Sequence, residues 1–361
     1  MHPRGWETNL GIMAKKSVTD ETTLQHLLLD WFGREQRDLP WRRTQDPYAI
    51  WVSEIMLQQT RVAAVLEPYR AFLECFPTVQ ALAAAEEAAV LAAWSGLGYY
   101  RRARMLHRAA QQICSSGNGQ IPQSHAALLE LPGIGRYTAA AIASIAYGEP
   151  VAAVDGNVER VLLRLRGWGS EDPVLHAQHL RRVHVEASRL LQPASPGDWN
   201  QAMMELGATV CLPRSPRCEA CPWMAACATR GEHDAVRRVP MRTETCCYRW
   251  QTRLSAGVQQ LLLIQRSQAQ TVMPGMWELP QAPYMPDKPG GKQDKPILQL
   301  RHAIMQVNYR ITIVSGDAPA PEGGRWVTAE EAATMALTGL ARKVMRRLGW
   351  LPTGSRGPMA R

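Results

Sequence analysis

Three groups of side chains in this 361-residue chain have the types and spacing to do chemistry. Cys211, Cys218, Cys221 and Cys227 follow the spacing C-x6-C-x2-C-x5-C. Four thiolates from one compact stretch can ligate a tetrahedral zinc or a cubane iron-sulfur cluster, since both need four soft anionic ligands in a closed shell. Zinc modules more often pair two C-x2-C hairpins, and a single such pair occurs here, so spacing tilts toward the cluster and leaves zinc open. Glu54 stands among Trp51, Val52, Ile55, Met56 and Leu57. A carboxyl so surrounded is desolvated, which raises its pKa and keeps it protonated near neutral pH as a general acid; a solvent-facing helical glutamate is the plainer alternative. Asp155 lies 20 residues after Gly135 and just before an apolar stripe of Val158, Val161, Leu162 and Leu165, which makes it a helix N-cap. It either caps and nothing more, or holds an ionised carboxylate aimed out of the fold to stabilise a developing cation. A raised-pKa acid and an ionised aspartate are the pair that glycosidic bond cleavage requires.

The elements around these residues suit a polyanionic substrate. Residues 124–147, SHAALLELPGIGRYTAAAIASIAY, read as helix, tight turn, helix: Pro132 ends the first, and Gly133 and Gly135 allow conformations and close approaches that a Cβ would block. The second helix begins with unpaired N–H groups and the positive end of its dipole, a seat for one phosphate. Gln58, Gln59 and Thr60 follow Glu54 by one turn, where amides could probe base edges or fill the hole left by an extruded base. Between the first two cysteines, a loop carries Arg214 and Arg217; held by metal at both ends, it would offer two guanidinium groups to phosphates.

Composition agrees with that substrate. Lys and Arg number 41 against 32 Asp and Glu, a net charge of +9, so nucleic acid or an anionic membrane surface is the expected large partner. With 46% hydrophobic residues the chain is globular rather than disordered, and it lacks an apolar run near the ~20 residues of a membrane span. The N-terminus has no export-like apolar core, so the clustered thiols read as a metal site in a reducing compartment; a bacterial cytoplasmic, nucleoid-associated location is expected. Cys75, Cys114, Cys246 and Cys247 read as ordinary thiols.

Along the chain, 1–17 reads as a flexible leader and 18–230 as one all-helical domain, with helical stretches near 49–74, 86–94, 100–116, 124–130, 136–147, 157–166, 174–191 and 198–208. Residues 231–249, rich in Arg with few apolar periods, read as a basic linker. Strand-like segments at 257–264 and 309–314, a Pro/Gly/Lys loop at 283–296, and a capping box at Thr328 to Glu331 opening a helical region mark an α+β domain over 250–350. A flexible tail is expected over 351–361.

In combination the LPGIG hairpin, VDGN twenty residues on, and the cysteine spacing resemble the helix-hairpin-helix DNA glycosylases that carry an iron-sulfur cluster, over about residues 20–230. Within that superfamily, endonuclease III-like enzymes place a lysine after LPGIGR that forms a Schiff base with the sugar and gives lyase activity. This chain has Tyr137 there. It therefore resembles the monofunctional MutY-type adenine DNA glycosylases, a match extending to LPWR (Leu39 to Arg42), SEIMLQQTRV (Ser53 to Val62), GLGYYRRAR (Gly96 to Arg104) and VDGNVERVL (Val154 to Leu162).

The resemblance implies a 4Fe-4S cluster on Cys211, Cys218, Cys221 and Cys227. It further implies that Glu54 protonates adenine N7 and that Asp155 stabilises an oxocarbenium-like sugar, with Tyr137 and Asn157 supporting it and the water. Arg42 and Leu57 would line the adenine pocket, Gln59 and Tyr99 would wedge into the helix beside 8-oxoguanine, and Gly133 and Gly135 would hold a phosphate. The implied partner is double-stranded DNA with adenine opposite 8-oxoguanine or guanine, met by a monomer. PGMWELP (Pro274 to Pro280) and RHAIMQVNYRI (Arg301 to Ile311) resemble the family's MutT/Nudix-like domain, which checks for 8-oxoguanine. No Nudix-type cluster of Arg and Glu for magnesium is present, so no pyrophosphohydrolase activity is expected there. Where some members carry Phe-Ser-His in the recognition loop, this chain has Leu300-Arg301-His302 if His302 is the anchor, making Arg301 and His302 the expected contacts. A thymine mismatch glycosylase could share the tyrosine, but the MutT-like domain argues against it; a non-catalytic iron-sulfur DNA-binding protein would need neither Glu54 nor Asp155.

Overall fold

The computed structural model describes residues 20–116, 119–234, 240–270, 272–282, 295–304, 307–316 and 319–352. The leader at 1–17, most of the 283–296 loop and the tail from 353 lie outside the described residues. In chain order the helices are α1 (Glu21–Glu35), α2 (Pro47–Leu57), α3 (Val62–Cys75), α4 (Val79–Ala84), α5 (Glu87–Ala93) and α6 (Arg101–Ser115), with a 3-10 turn at Pro40–Arg42. Then come α7 (His125–Leu128), α8 (Arg136–Tyr147), α9 (Gly156–Arg166), α10 (Pro173–Leu190) and α11 (Pro196–Thr209). The expected 49–74 helix is broken: α2 stops at Leu57, and Gln59 takes a positive φ of 55°. Gln, Thr and Arg are all tolerated in a helix, so neither Gly nor Pro marks this break. The expected 124–130 helix is a single turn, and α4, opened by Thr78 whose hydroxyl accepts from Ala81 N, was not expected.

By internal packing the chain divides into two compact units, and the division does not fall at the expected domain border. One unit comprises 1–37 and 150–236, so α1 joins α9, α10 and α11. Its core holds Leu24, Leu28, Trp31 and Phe32 of α1 with Val158, Val161, Leu162, Trp199, Leu206 and Trp223, and Trp223 donates from Nε1 to Leu24 O at 2.9 Å. The buried Glu205 carboxylate accepts two bonds from the Arg37 guanidinium, at 2.7 and 2.6 Å. The other unit comprises 38–149 and 237–361. The helical region thus draws on both units instead of forming one domain of its own, because the segment up to Arg37 packs with residues 110 or more positions later.

The C-terminal part contains β1 (Arg242–Trp250), β2 (Thr252–Ser255), β3 (Val258–Gln265), β4 (Trp277–Glu278), β5 (Gln281–Ala282), β6 (Lys295–Ile304), β7 (Val307–Ser315) and β8 (Gly324–Val327), followed by α12 (Ala329–Thr334) and α13 (Gly339–Arg347). One mixed sheet runs β5-β1-β7-β6, with β1 and β7 parallel; the other runs β2-β3-β4, with β8 paired to β3. The combination of α and β elements meets the expectation. The basic-linker reading is corrected from Arg242 onward: nine residues read as linker or its edge are a strand, whose exposed first half hides the period-two signal while Thr243, Thr245, Tyr248 and Trp250 supply the β preference. Thr328 and Glu331 form the expected capping box, at 3.2 and 2.8 Å. The tail reading fails at its first residue, because Leu351 is buried with Leu340, Val344 and Met345. Replacement of Leu351 by Ala is expected to cost about 2–4 kcal/mol, read by urea denaturation; a change within error would return Leu351 to the tail.

Candidate active site

Helix α2 is buried on all sides, from Tyr48 through Met56, and Glu54 is only 5% exposed within it. Its start is fixed by Asp46, whose carboxylate accepts from Tyr48 N and Ala49 N, with Pro47 in the first turn. A carboxyl in such a place needs a hydrogen-bond partner. Tyr137 supplies one: its hydroxyl donates to Glu54 Oε2 at 2.6 Å. The hairpin delivers it. Leu131 to Gly135 turns between α7 and α8, α8 packs on α2, and Gln58 Nε2 donates to Thr138 Oγ1 at 3.2 Å one residue on. Gly133 has φ 77°, and a Cβ there would lie 2.4 Å from Met105 Cβ, so both conformation and space demand glycine. Gly135 differs from the expectation: it is extended, with open space where its Cβ would be. It begins α8 without a side-chain cap, leaving the first N–H groups of α8 for an external acceptor.

The other expected DNA contacts of this unit gather around α2. Arg42 is half-buried at the end of the 3-10 turn packed on α2, and Leu57 is half-buried at the C-terminus of α2. Gln59 is exposed, and Tyr99 is 46% exposed with φ 46°, so both present side chains from left-handed backbone. In the C-terminal part, the expected contacts Arg301 and His302 lie on a strand. Leu300, Arg301 and His302 lie within β6, paired with Ile311, Arg310 and Tyr309, and the strand turns back between Ile304 and Val307. Arg301 is exposed, but the His302 ring lies against Gly339 of α13, and its pKa is lowered by burial and by Lys343. The motif match carried no register; strand pairing supplies it.

Asp155, in the first unit, occupies the N-cap of α9 as expected. Its Oδ1 accepts from Asn157 N at 2.9 Å and Val158 N at 2.8 Å, and its Oδ2 accepts from Asn157 Nδ2 at 2.8 Å. The Asn157 carbonyl is held in turn by Arg160 Nη2 at 2.8 Å, while Arg160 also donates to Gly207 O at 2.7 Å and Cys211 O at 2.8 Å. A second arginine, the buried Arg164, donates to Leu212 O, Pro213 O and Cys211 Sγ, at 2.6, 2.9 and 3.4 Å. Neither arginine was expected; their only sequence signal is a four-residue spacing on the helix that starts at Asp155.

Cys211, Cys218, Cys221 and Cys227 line one cavity with Val161, Arg164, Leu206, Trp223 and Met224. Burial pushes the Cys221 thiol up to about 11 and raises Cys211 as well, against the pull of Arg164. Thiols so raised need a bound cation to exist as thiolates at neutral pH. Among the described residues no three His, Cys, Asp or Glu side chains are arranged to hold a single metal ion. Arg214 and Arg217 are both exposed on the loop between the first two cysteines.

Residues 52–184 match the family of HhH-GPD superfamily base excision DNA repair proteins. The chain is 34% identical to the adenine DNA glycosylase of Homo sapiens, over 92% of this chain and 75% of that protein. It is 45% identical to the adenine DNA glycosylase of Mycolicibacterium smegmatis, over 54% of this chain and 66% of that one. Among solved structures, a thermostable thymine-DNA glycosylase superposes with a TM-score of 0.53 at 28% identity, over 58% of this chain and 96% of that chain.

The Asp155–Asn157 pair also depends on Gly207, since a Cβ there would lie 2.5 Å from Asn157 Cβ and 3.0 Å from its carbonyl oxygen. Gly207→Ala is expected to lose about 1–3 kcal/mol to overpacking despite the better helix propensity of alanine; a gain in melting temperature would contradict the close approach.

Proposed function

The chain belongs to the adenine DNA glycosylases, base excision repair enzymes of the helix-hairpin-helix superfamily, and from that premise we propose that it hydrolyses the N-glycosidic bond of adenine mispaired with 8-oxoguanine, and of adenine opposite guanine, after flipping the adenine from the duplex. The observation that carries the chemistry is the 2.6 Å bond from Tyr137 to the buried Glu54 carboxyl. Glu54 acts as the acid. Proton transfer to adenine N7 turns the base into a neutral leaving group, and burial favours the neutral carboxyl that has a proton to give. Asp155 is the anion for the sugar as it gains positive charge, with both oxygens fixed by donors before the reaction begins. Asn157 orients it, and the strand stays on the enzyme through the α8 N-terminus at Gly133 and Gly135.

A phenol hydroxyl bonded to Glu54 occupies the hairpin position where a lyase needs an amine, so the reaction ends at an abasic site with the strand unbroken. The oxidised-guanine partner is supported by the C-terminal domain, which we read as MutT/Nudix-like and without pyrophosphohydrolase activity. Release of free base from duplexes with adenine opposite 8-oxoguanine, adenine opposite guanine and thymine opposite guanine tests the assignment: adenine should leave the first fastest, and thymine release would favour a thymine mismatch glycosylase. Glu54→Gln is expected to slow adenine release by about 10²–10⁴-fold while duplex binding persists; retained turnover removes Glu54 from the acid role.

We assign a 4Fe-4S cluster to Cys211, Cys218, Cys221 and Cys227. Four half-buried thiols from one short stretch line a single cavity, which supports that reading. Bound there, the cluster supplies a crosslink that fixes the Arg214 to Arg217 loop. Purified protein should carry about four irons per chain, and Cys221→Ala should lose them together with thermal stability; stoichiometric zinc without iron would refute the assignment.

A further inference from the structure

The side chain of Arg102, the second residue of α6, is used by none of the roles above, yet it is more heavily hydrogen-bonded than a surface arginine requires. Its Nη1 faces the carbonyl oxygens of Ile55, Met56 and Gln58 at 2.8, 2.9 and 2.5 Å. Its Nη2 donates to Thr60 Oγ1 at 3.1 Å, Leu97 O at 3.1 Å and Gly98 O at 3.4 Å. The guanidinium carbon stands 5.5 Å from the ring centres of both Trp94 and Tyr99. Burial lowers its pKa to about 10, so it stays charged at neutral pH.

These partners belong to two short segments. One is the end of α2 and the turn after it, where Ile55, Met56 and Gln58 carry carbonyls that no further helical turn accepts. The other is the turn before α6. Each contains one exposed residue in left-handed backbone, Gln59 at φ 55° and Tyr99 at φ 46°. Such conformations persist in non-glycine residues when the surroundings over-determine them. Arg102 is the group common to both surroundings, and its planar fork with two π faces suits this better than an ammonium would.

We propose that Arg102 is a positioning residue for base flipping: it locks the Gln58–Thr60 and Leu97–Tyr99 turns into one rigid wedge, so that Gln59 and Tyr99 enter the duplex preorganised. The inference rests on the reading above that these two side chains invade the helix. A wedge held in shape before contact spends no binding energy on ordering its loops, and a small misplacement of either side chain slows the step it serves.

Stopped-flow fluorescence of a duplex with 2-aminopurine stacked beside an adenine–guanine mispair, mixed with the full chain, separates the two claims, because an inserted wedge unstacks and brightens the probe. Tyr99→Ala and Gln59→Ala should lose the fast rise; if both keep it, the wedge reading falls and the clamp with it. Provided they lose it, Arg102→Ala should slow the rise about tenfold or more, and Arg102→Lys should recover only part of the rate. Added guanidinium ion should restore Arg102→Ala but not Tyr99→Ala, a rescue that a merely structural residue would not give. A wild-type rate in folded Arg102→Ala overturns the proposal, as does failure of guanidinium to rescue it. If Arg102→Ala does not fold, Thr60→Val removes one acceptor at nearly constant volume; a slowed rise supports the clamp and an unchanged one overturns it.

Discussion

The Glu54 carboxyl, buried in a helix that is buried on all sides, is the constraint on which the packing of α2 and the hairpin depends. Burial at 5% exposure obliges the protein to provide the Glu54 carboxyl with a hydrogen-bond partner. Tyr137 is that partner, and its placement explains the hairpin: α8 must start beside α2, so the chain must reverse within LPGIG, and Gly133 must pass within contact of Met105. The hairpin that supports the acid also exposes the uncapped N-terminus of α8. One tight turn thus places Tyr137 on the Glu54 carboxyl and starts α8 without a side-chain cap.

Helix α9 concentrates the corresponding demands of the first unit. Its N-cap fixes both oxygens of Asp155, and Arg160 ties Asn157 to the carbonyl of Cys211. One turn on, Arg164 is buried at 3% exposure with its donors spent on Leu212, Pro213 and the Cys211 sulfur. Buried guanidinium groups are tolerated only when their donors are satisfied. Here the satisfying groups come from the loop after Cys211 and from His233. The loop that the four cysteines bracket is thereby tied to the Asp155–Asn157 pair through Arg160.

Legibility followed locality. The N-cap role of Asp155 was visible because the apolar stripe that marks α9 starts three residues later, and the burial of Glu54 because its neighbours in sequence are also its neighbours in space. The shared cavity of the cysteines followed from close spacing. Arg102, Arg160 and Arg164 were not visible, because a basic residue on a helix looks the same whether it meets solvent or the carbonyls of a distant loop. The break after Leu57 carries neither Gly nor Pro, and the strand at Arg242–Trp250 hides its period behind an exposed half. The surroundings of His302 were not visible either, because a motif match has no register, whereas its pairing in β6 opposite Tyr309 sets its ring near Gly339 of α13. The joining of α1 to α9–α11 depends on contacts across more than a hundred residues, which no local pattern encodes.

The central claim is that a protonated glutamate, backed by a tyrosine and not an amine, performs the bond cleavage. Reaction of the purified enzyme with an adenine–8-oxoguanine duplex, followed by borohydride and by alkali in parallel, tests it most directly. The account expects no covalent enzyme–DNA adduct and a strand that breaks only after alkali. Efficient borohydride trapping, or nicking without alkali, would contradict it.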